Sequence, residues 1–332
     1  GVLSFAHVHA ATYVSLLRDR PDVELIAADP DADHDTSGEL RGAAMAEQLG
    51  IRLLGSYADV MAARPDAVVI CSENSRHRPL VELAATAGAH VLCEKPIATT
   101  LEDATAMIGA CRNAGVVLMP AYPVRFHPAF TVLRENVRAG RLGRILAAAG
   151  TNNGRAPIAS RRWFVDAELA GGGAFMDHIV HLADLLDHLR GEPAVEVYAQ
   201  SNRIVHENEV DVETGGLVAV TYADGMVATI DCSWNRPATA TIGGGLTLYL
   251  EGEHGSAGFD TGNQSLTLFD DVAGGISRVG YGPDLDALML QEFLTAIAEG
   301  RPAQPDGDTG LRTLQIVLAA QESDRTGQPV RI

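Results

Sequence analysis

Ala67-Val68-Val69-Ile70-Cys71, a helical stretch at 79–87 closed by Gly88, and then His90-Val91-Leu92-Cys93-Glu94-Lys95-Pro96 form the run that decides the fold. Neither apolar segment alternates with polar residues. Strands of that kind are covered on both faces, as in a parallel sheet layered by helices. A helix joining two such strands makes a βαβ unit with a right-handed crossover. The pattern continues upstream. Gly1-Val2-Leu3 reads as the end of a strand, His9–Arg18 as a helix, and 23–28 as a second strand ending at Asp29-Pro30. Residues 43–49 read as helical, Leu53-Leu54-Gly55 as extended and 57–63 as a short helix. Downstream, 100–113 reads as a helix with Thr100 as N-cap and Asp103 three residues on, a capping-box-like start. Gly115 closes it, and 116–121 is one more strand. Short links between alternating β and α elements predict an α/β fold, a doubly wound parallel sheet of Rossmann type over 1–122.

The pattern changes after about residue 123. A helix is expected at 130–138 and a strand at 145–152, and Gly171-Gly172-Gly173 leads into a long helix ending near Leu189. Runs of β character follow at 195–201, 216–222, 226–234 and 246–250, with a turn at Ala223-Asp224-Gly225. Residues 123–332 therefore read as an α+β domain with a large, open, mainly antiparallel sheet. Two closing helices, 285–299 and 309–324, are candidates to pack back on the first domain. The Gly- and Asp-rich pieces within 261–283 read as mobile loops.

A formal net charge of -18 argues against a nucleic-acid binder and against docking on anionic lipid, since both need clustered cations. No apolar run reaches the roughly 18 residues a membrane span needs, and no secretory leader pattern opens the chain. Cys71, Cys93, Cys111 and Cys232 form no C-x-x-C pair. They signal neither a zinc site nor a disulfide framework, and a reducing cytoplasm is expected.

Ligands of doubly wound folds bind at the carboxyl ends of the strands. The first βα turn is Ser4-Phe5-Ala6-His7-Val8-His9, where a dinucleotide loop would show G-x-G-x-x-G; Ser4, Ala6 and His9 occupy the glycine places. Backbone N–H groups of Ser4, Phe5, Ala6 and His7 remain available to a pyrophosphate, with the Ala6 methyl limiting close approach. Asp29 ends the second strand at the place of an acid that binds the adenosine ribose hydroxyls. Asp31 and Asp33 follow, and no arginine is near in sequence to hold a 2′-phosphate. NAD is therefore expected over NADP. Ser72, Glu73 and His77 follow the strand ending at Cys71, and Glu94 follows the one ending at Cys93; all four are read as cofactor-facing.

Lys95 is the only lysine in the chain, the other cationic side chains being arginine. A compact ammonium differs from a guanidinium in that its proton can be lost on burial. Pro96 biases it to an extended backbone above the sheet. Asp177 and His181, spaced i, i+4, share one helix face and make a candidate general-base pair. His178, Asp184 and His188 lie on the same helix, yet the helix alone offers no complete ligand set, so no metal is expected. Tyr122, Arg125 and Trp163 are candidates for a substrate pocket wall.

Cys93-Glu94-Lys95-Pro96 after Ala-Gly-Ala-His-Val-Leu, with Gly171-Gly172-Gly173 and Asp177-x-x-x-His181, resembles the Gfo/Idh/MocA oxidoreductase family. Arg125-Phe126-His127-Pro128, Gly140-Arg141-Leu142-Gly143 and Thr326-Gly327-Gln328-Pro329-Val330 extend the likeness over the whole chain. The chain departs from the family pattern in the glycine loop and in Ser72-Glu73-Asn74, where Thr-Pro-Asn is usual. The resemblance implies a dehydrogenase of a sugar, cyclitol or related polyol. Lys95 would steady the developing alkoxide, His181 would take the hydroxyl proton, and Asp177 would orient His181. It also implies a homodimer or homotetramer through the C-terminal sheet. Two other readings stay open: elimination or glycoside cleavage by transient oxidation, and a dinucleotide-sensing protein without turnover.

Overall fold

The computed structural model describes residues 1–34, 39–240, 244–262, 265–270 and 275–332, with the backbone alone at 33–34, 265–270 and 275–279. Packing separates two compact units. One is Gly1–Tyr122 with Pro157–Gly171 and Asp286–Leu314; the other is Pro123–Ala156, Gly172–Leu285 and Gln315–Ile332.

The first unit holds six strands: β1 (Val2–Leu3), β2 (Ile26–Ala28), β3 (Arg52–Leu53), β4 (Ala67–Ile70), β5 (His90–Cys93) and β6 (Leu118–Pro120). Their order is β3-β2-β1-β4-β5-β6, and every neighbouring pair is parallel. The chain steps outward from β1 to β3, then returns to β4 on the other side of β1. That reversal opens a crevice at the carboxyl ends of β1 and β4. Val2, Leu3, Val68, Ile70, Val91 and Leu92 are fully buried, as two-sided coverage demands. The helix Leu101–Ala114 starts as expected: Thr100 Oγ accepts from Asp103 N at 3.1 Å, and Gly115 ends it at φ 70°. Cys71, Cys93, Cys111 and Cys232 are all unbridged and buried.

The second unit is built on β7 (Ile145–Gly154), β8 (Ala194–Asn202), β9 (Gly215–Tyr222), β10 (Val227–Ser233), β11 (Gly244–Gly252) and β12 (Gly255–Asp260). β13 (Ser265–Asp270) and β14 (Gly275–Gly280) pair separately, and β15 (Val330–Arg331) closes the chain. The large sheet has the order β12-β11-β7-β10-β9-β8-β15; only β7 and β10 run parallel. The helix Ala174–Arg190 packs on β7, β9 and β10. Gly150 makes room for it, since a Cβ there would lie 2.6 Å from Leu182 Cδ2. Val218, Val220, Ala228 and Ile230 are buried, while Leu146, Tyr198, Leu217, Val227 and Tyr249 are exposed. This is the alternation of a sheet covered on one face only.

The expectation of loops across 261–283 is corrected by β13 and β14, which pair from Ser265↔Gly280 to Asp270↔Gly275. Alternation in Ser-Leu-Thr-Leu and Ile-Ser-Arg-Val carried the strand signal, which the surrounding glycines and aspartates outweighed. Residues 263–264 and 271–274 of that stretch lie outside the described residues. Among the described residues, no helix is long and apolar enough to cross a membrane.

Candidate active site

Ser4, Asp29, Ser72-Glu73 and Glu94-Lys95 follow β1, β2, β4 and β5, four neighbouring strands, at their carboxyl ends. Parallel pairing brings together groups far apart in sequence, from Ser4 to Lys95. The first turn keeps a dinucleotide-loop backbone without its glycines. Ser4 adopts φ 70°, the left-handed region that glycine enters without steric cost and serine at about 1–2 kcal/mol. Ser4 N donates to Ala28 O and His7 N to Cys71 O, each at 2.8 Å, tying the loop to both flanking strands. Phe5 is fully buried. Ala6 packs in an apolar cluster with Trp163 and Ala170, and its carbonyl accepts from Trp163 Nε1 at 3.1 Å and Arg161 Nη1 at 2.6 Å. The turn that glycines usually supply is present, but the expectation that its N–H groups stay available is corrected: Ser4 N, Ala6 N and His7 N donate to Ala28 O, Ser4 Oγ and Cys71 O.

Asp29 is buried, and an arginine does reach it. Arg41 Nε and Nη2 donate to Asp29 Oδ2 and Oδ1 at 3.2 and 2.8 Å, while Nη1 donates to Glu73 Oε1 at 3.1 Å. Arg76 Nη1 lies 3.3 Å from Asp31 Oδ1 and 3.6 Å from Glu73 Oε2. No arginine is near this acidic turn in sequence, yet Arg41 and Arg76 reach it in space. The charge that Glu73 brings is met by two guanidinium groups.

Glu94 is fully buried and densely hydrogen-bonded. Tyr13 OH donates to its Oε1 at 2.6 Å, His9 Nδ1 lies 2.9 Å from the same oxygen, and Lys95 N donates to Oε2 at 3.1 Å. His7 Nε2 lies 3.7 Å from Oε2. Burial by itself would raise the Glu94 carboxyl pKa; His7, His9 and the hydrogen bonds from His9 and Tyr13 outweigh it and hold it well below the carboxylate range. Burial likewise lowers His9, but the Glu94 charge wins and the imidazole pKa is raised. Among the described residues, His7, His9 and Glu94 place potential ligand atoms within 4.8 Å of one another. His7 Nδ1 accepts from His9 N at 3.2 Å.

Lys95 is buried, and the Lys95–Pro96 peptide is cis. His77, fully buried, directs Nδ1 to the carbonyls of Pro96 at 3.0 Å and Ile97 at 3.1 Å, so it holds the segment after Lys95. Burial lowers its pKa and keeps the ring neutral. Ser72 donates to Glu73 O at 3.2 Å, and Asn74 Nδ2 donates to Ala170 O at 2.8 Å.

In the second unit, Asp177 and His181 sit one turn apart on the helix Ala174–Arg190. Asp177 Oδ2 accepts from Trp234 Nε1 at 3.0 Å and lies 3.1 Å from His178 Nε2. The helix start is held from outside: Glu213 Oε1 accepts from Gly173 N at 2.9 Å and Phe175 N at 3.0 Å. A carboxylate there satisfies orphan N–H groups and complements the helix dipole.

The three pocket-wall candidates are each engaged in packing. Tyr122 is buried with its hydroxyl 2.7 Å from Thr313 Oγ1. Arg125 pairs with buried Asp184 through Nε at 3.0 Å and through Nη2. Trp163 lies under the first turn, its ring 4.1 Å from that of Phe164 and 6.2 Å from that of His7. Sequence reading missed Arg41, His9, Tyr13, Arg161 and Trp234. His9 and Tyr13 alone carried a local signal, an i, i+4 polar pair opening an otherwise apolar helix face.

Two family models match the chain: "Oxidoreductase family, NAD-binding Rossmann fold" over residues 16–122 and "GFO/IDH/MocA C-terminal domain" over residues 130–258. The chain is 32% identical to 1,5-anhydro-D-fructose reductase of Ensifer adhaerens, over 90% of this chain and 89% of that protein. It is 28% identical to myo-inositol 2-dehydrogenase of Thermotoga maritima, over 87% and 86%. The structure of GenD2 from gentamicin A biosynthesis in complex with NAD superposes with a TM-score of 0.87 at 22% identity, covering 100% of this chain and 95% of that one, and shares the fold. Its reversing parallel sheet, its Glu94-Lys95-Pro96 turn and these relatives agree that the chain belongs to the Gfo/Idh/MocA family of NAD(P)-dependent sugar and polyol oxidoreductases.

Proposed function

We propose that the chain oxidises, or in reverse forms, a secondary hydroxyl of a sugar, cyclitol or related polyol with NAD as its preferred cofactor. Residues 1–122 are the dinucleotide domain and 123–332 the substrate and oligomerisation domain. The supporting observation is the convergence of the Ser4–His9 turn, Asp29 and Glu94-Lys95 at one end of the first sheet. When bound, nicotinamide supplies the hydride acceptor. Lys95 steadies negative charge on the substrate oxygen, where an ammonium in a dry site is worth far more than in water. His181 takes the hydroxyl proton. Asp177, fixed by Trp234 and His178, sets the orientation of that base. The Ser4-Phe5-Ala6-His7 turn borders the pyrophosphate, Asp29 lies beside the adenosine ribose, and Ser72, Glu73, His77 and Glu94 shape the remaining cofactor surface. Tyr122, Arg125 and Trp163 are the candidates for contact with substrate.

The open sheet face carrying Leu146, Tyr198, Leu217, Val227 and Tyr249 supports a homodimer or homotetramer. Four buried, unbridged cysteines suit a reducing cytoplasm. Calorimetry with NAD, followed by a polyol panel read by NADH absorbance, tests the reading. NADH formation with at least one sugar or cyclitol is expected. NAD binding with no turnover on any of them would leave a sensing protein instead.

A further inference from the structure

Asp29 has its acceptor positions filled by the protein itself. Oδ1 accepts from Ser4 Oγ at 3.0 Å and Arg41 Nη2 at 2.8 Å; Oδ2 accepts from Arg41 Nε at 3.2 Å and Gly42 N at 3.0 Å. A carboxylate offers about four lone-pair sites. Ribose hydroxyls and the Arg41 fork therefore compete for the same oxygens. Arg41 is anchored beyond Asp29 as well, through Nη1 to Glu73 and through Nη2 to Ser4 Oγ at 3.1 Å. A guanidinium displaced from Asp29 thus stays tethered at the ribose position. There it meets the one feature that separates the two cofactors, a doubly charged 2′-phosphate, for which a planar fork is a strong partner. Half-exposed Arg76, beside Asp31 and Glu73, adds a second cation at this edge.

We infer that Arg41 sets the discrimination between NAD and NADP, screening Asp29 from ribose hydroxyls and offering its guanidinium to a 2′-phosphate. The inference rests on the dinucleotide reading above. It makes the native chain less selective for NAD than Asp29 by itself implies.

The test is calorimetry of ADP-ribose and of 2′-phospho-ADP-ribose against the native chain, Arg41→Met and Arg41→Lys. Neither probe carries nicotinamide, so turnover plays no part. In Arg41→Met, 2′-phospho-ADP-ribose should bind at least about tenfold more weakly, while ADP-ribose binds as well as to the native chain or better. Arg41→Lys, which keeps the charge and loses the fork, should fall between the two. If Arg41→Met does not fold, the shift in probe preference is read from Arg41→Lys. Equal weakening of both probes would mark Arg41 as a purely structural clamp and overturn the inference, as would unchanged affinities. Failure of both probes to bind the native chain would sink the dinucleotide reading itself, a result distinct from either.

Discussion

Tyr13 donates its hydroxyl proton to Glu94 Oε1 across 2.6 Å, joining two fully buried residues 81 positions apart in sequence. The first helix and the turn carrying Lys95 are linked by this bond. Tyr13→Phe removes a donor from a buried charge and keeps the ring. The loss should be about 1.5–3 kcal/mol, read as a lower Tm and an earlier denaturant midpoint. A variant as stable as the native chain would show that solvent reaches Glu94.

The same carboxylate predicts acid sensitivity. Glu94 is held below its ordinary pKa in the folded chain, so its contribution is present above the unfolded carboxyl value of about 4.3 and is lost as pH falls from there toward the folded value. His9 runs the other way: its pKa is raised, so its contribution is complete below about 6.5 and fades as pH climbs through the folded value. His9→Asn should flatten the alkaline limb of a stability–pH curve and also soften the acid limb, because His9 helps hold the Glu94 carboxyl down. An unaltered alkaline limb would remove His9 from the account.

Lys95→Ala should lower kcat by about two to four powers of ten, with NAD affinity held within a few-fold. Steady-state kinetics beside calorimetry separate the two effects. Turnover equal to the native chain would refute the proposed role of the ammonium.

Trp234→Phe keeps the ring and removes the N–H that holds Asp177. A positioning role predicts a fall in kcat of about tenfold at little cost in KM, with a shifted basic limb in the pH–rate profile. A loss of stability with unchanged turnover would make the bond structural only.

Gly173→Ala places a Cβ 2.1 Å from Glu213 O and 3.0 Å from Val212. Backbone cannot retreat as a flexible side chain can. The clash and the displaced cap should cost at least about 2 kcal/mol and disturb the helix bearing Asp177 and His181. Wild-type stability in Gly173→Ala would refute the close packing.

The parallel sheet was legible because unbroken apolar runs separated by helical stretches admit few connections, while the neighbour order β2–β1–β4–β5 came from the fold. Thr100, Asp103 and Gly115 were legible because caps are local. The motif residues Asp29, Lys95, Asp177 and His181 were legible as types at positions, Lys95 most of all by its singularity. Which partners those side chains take was not written there. Arg41 lies twelve residues past Asp29 across a turn whose path spacing does not encode, and Glu213 caps a helix 38 residues before it in the chain. Periodicity and capping are one-dimensional properties that a chain carries along its length. Hydrogen-bond pairing of buried charges depends on which strand ends become neighbours, and only the folded packing settles that.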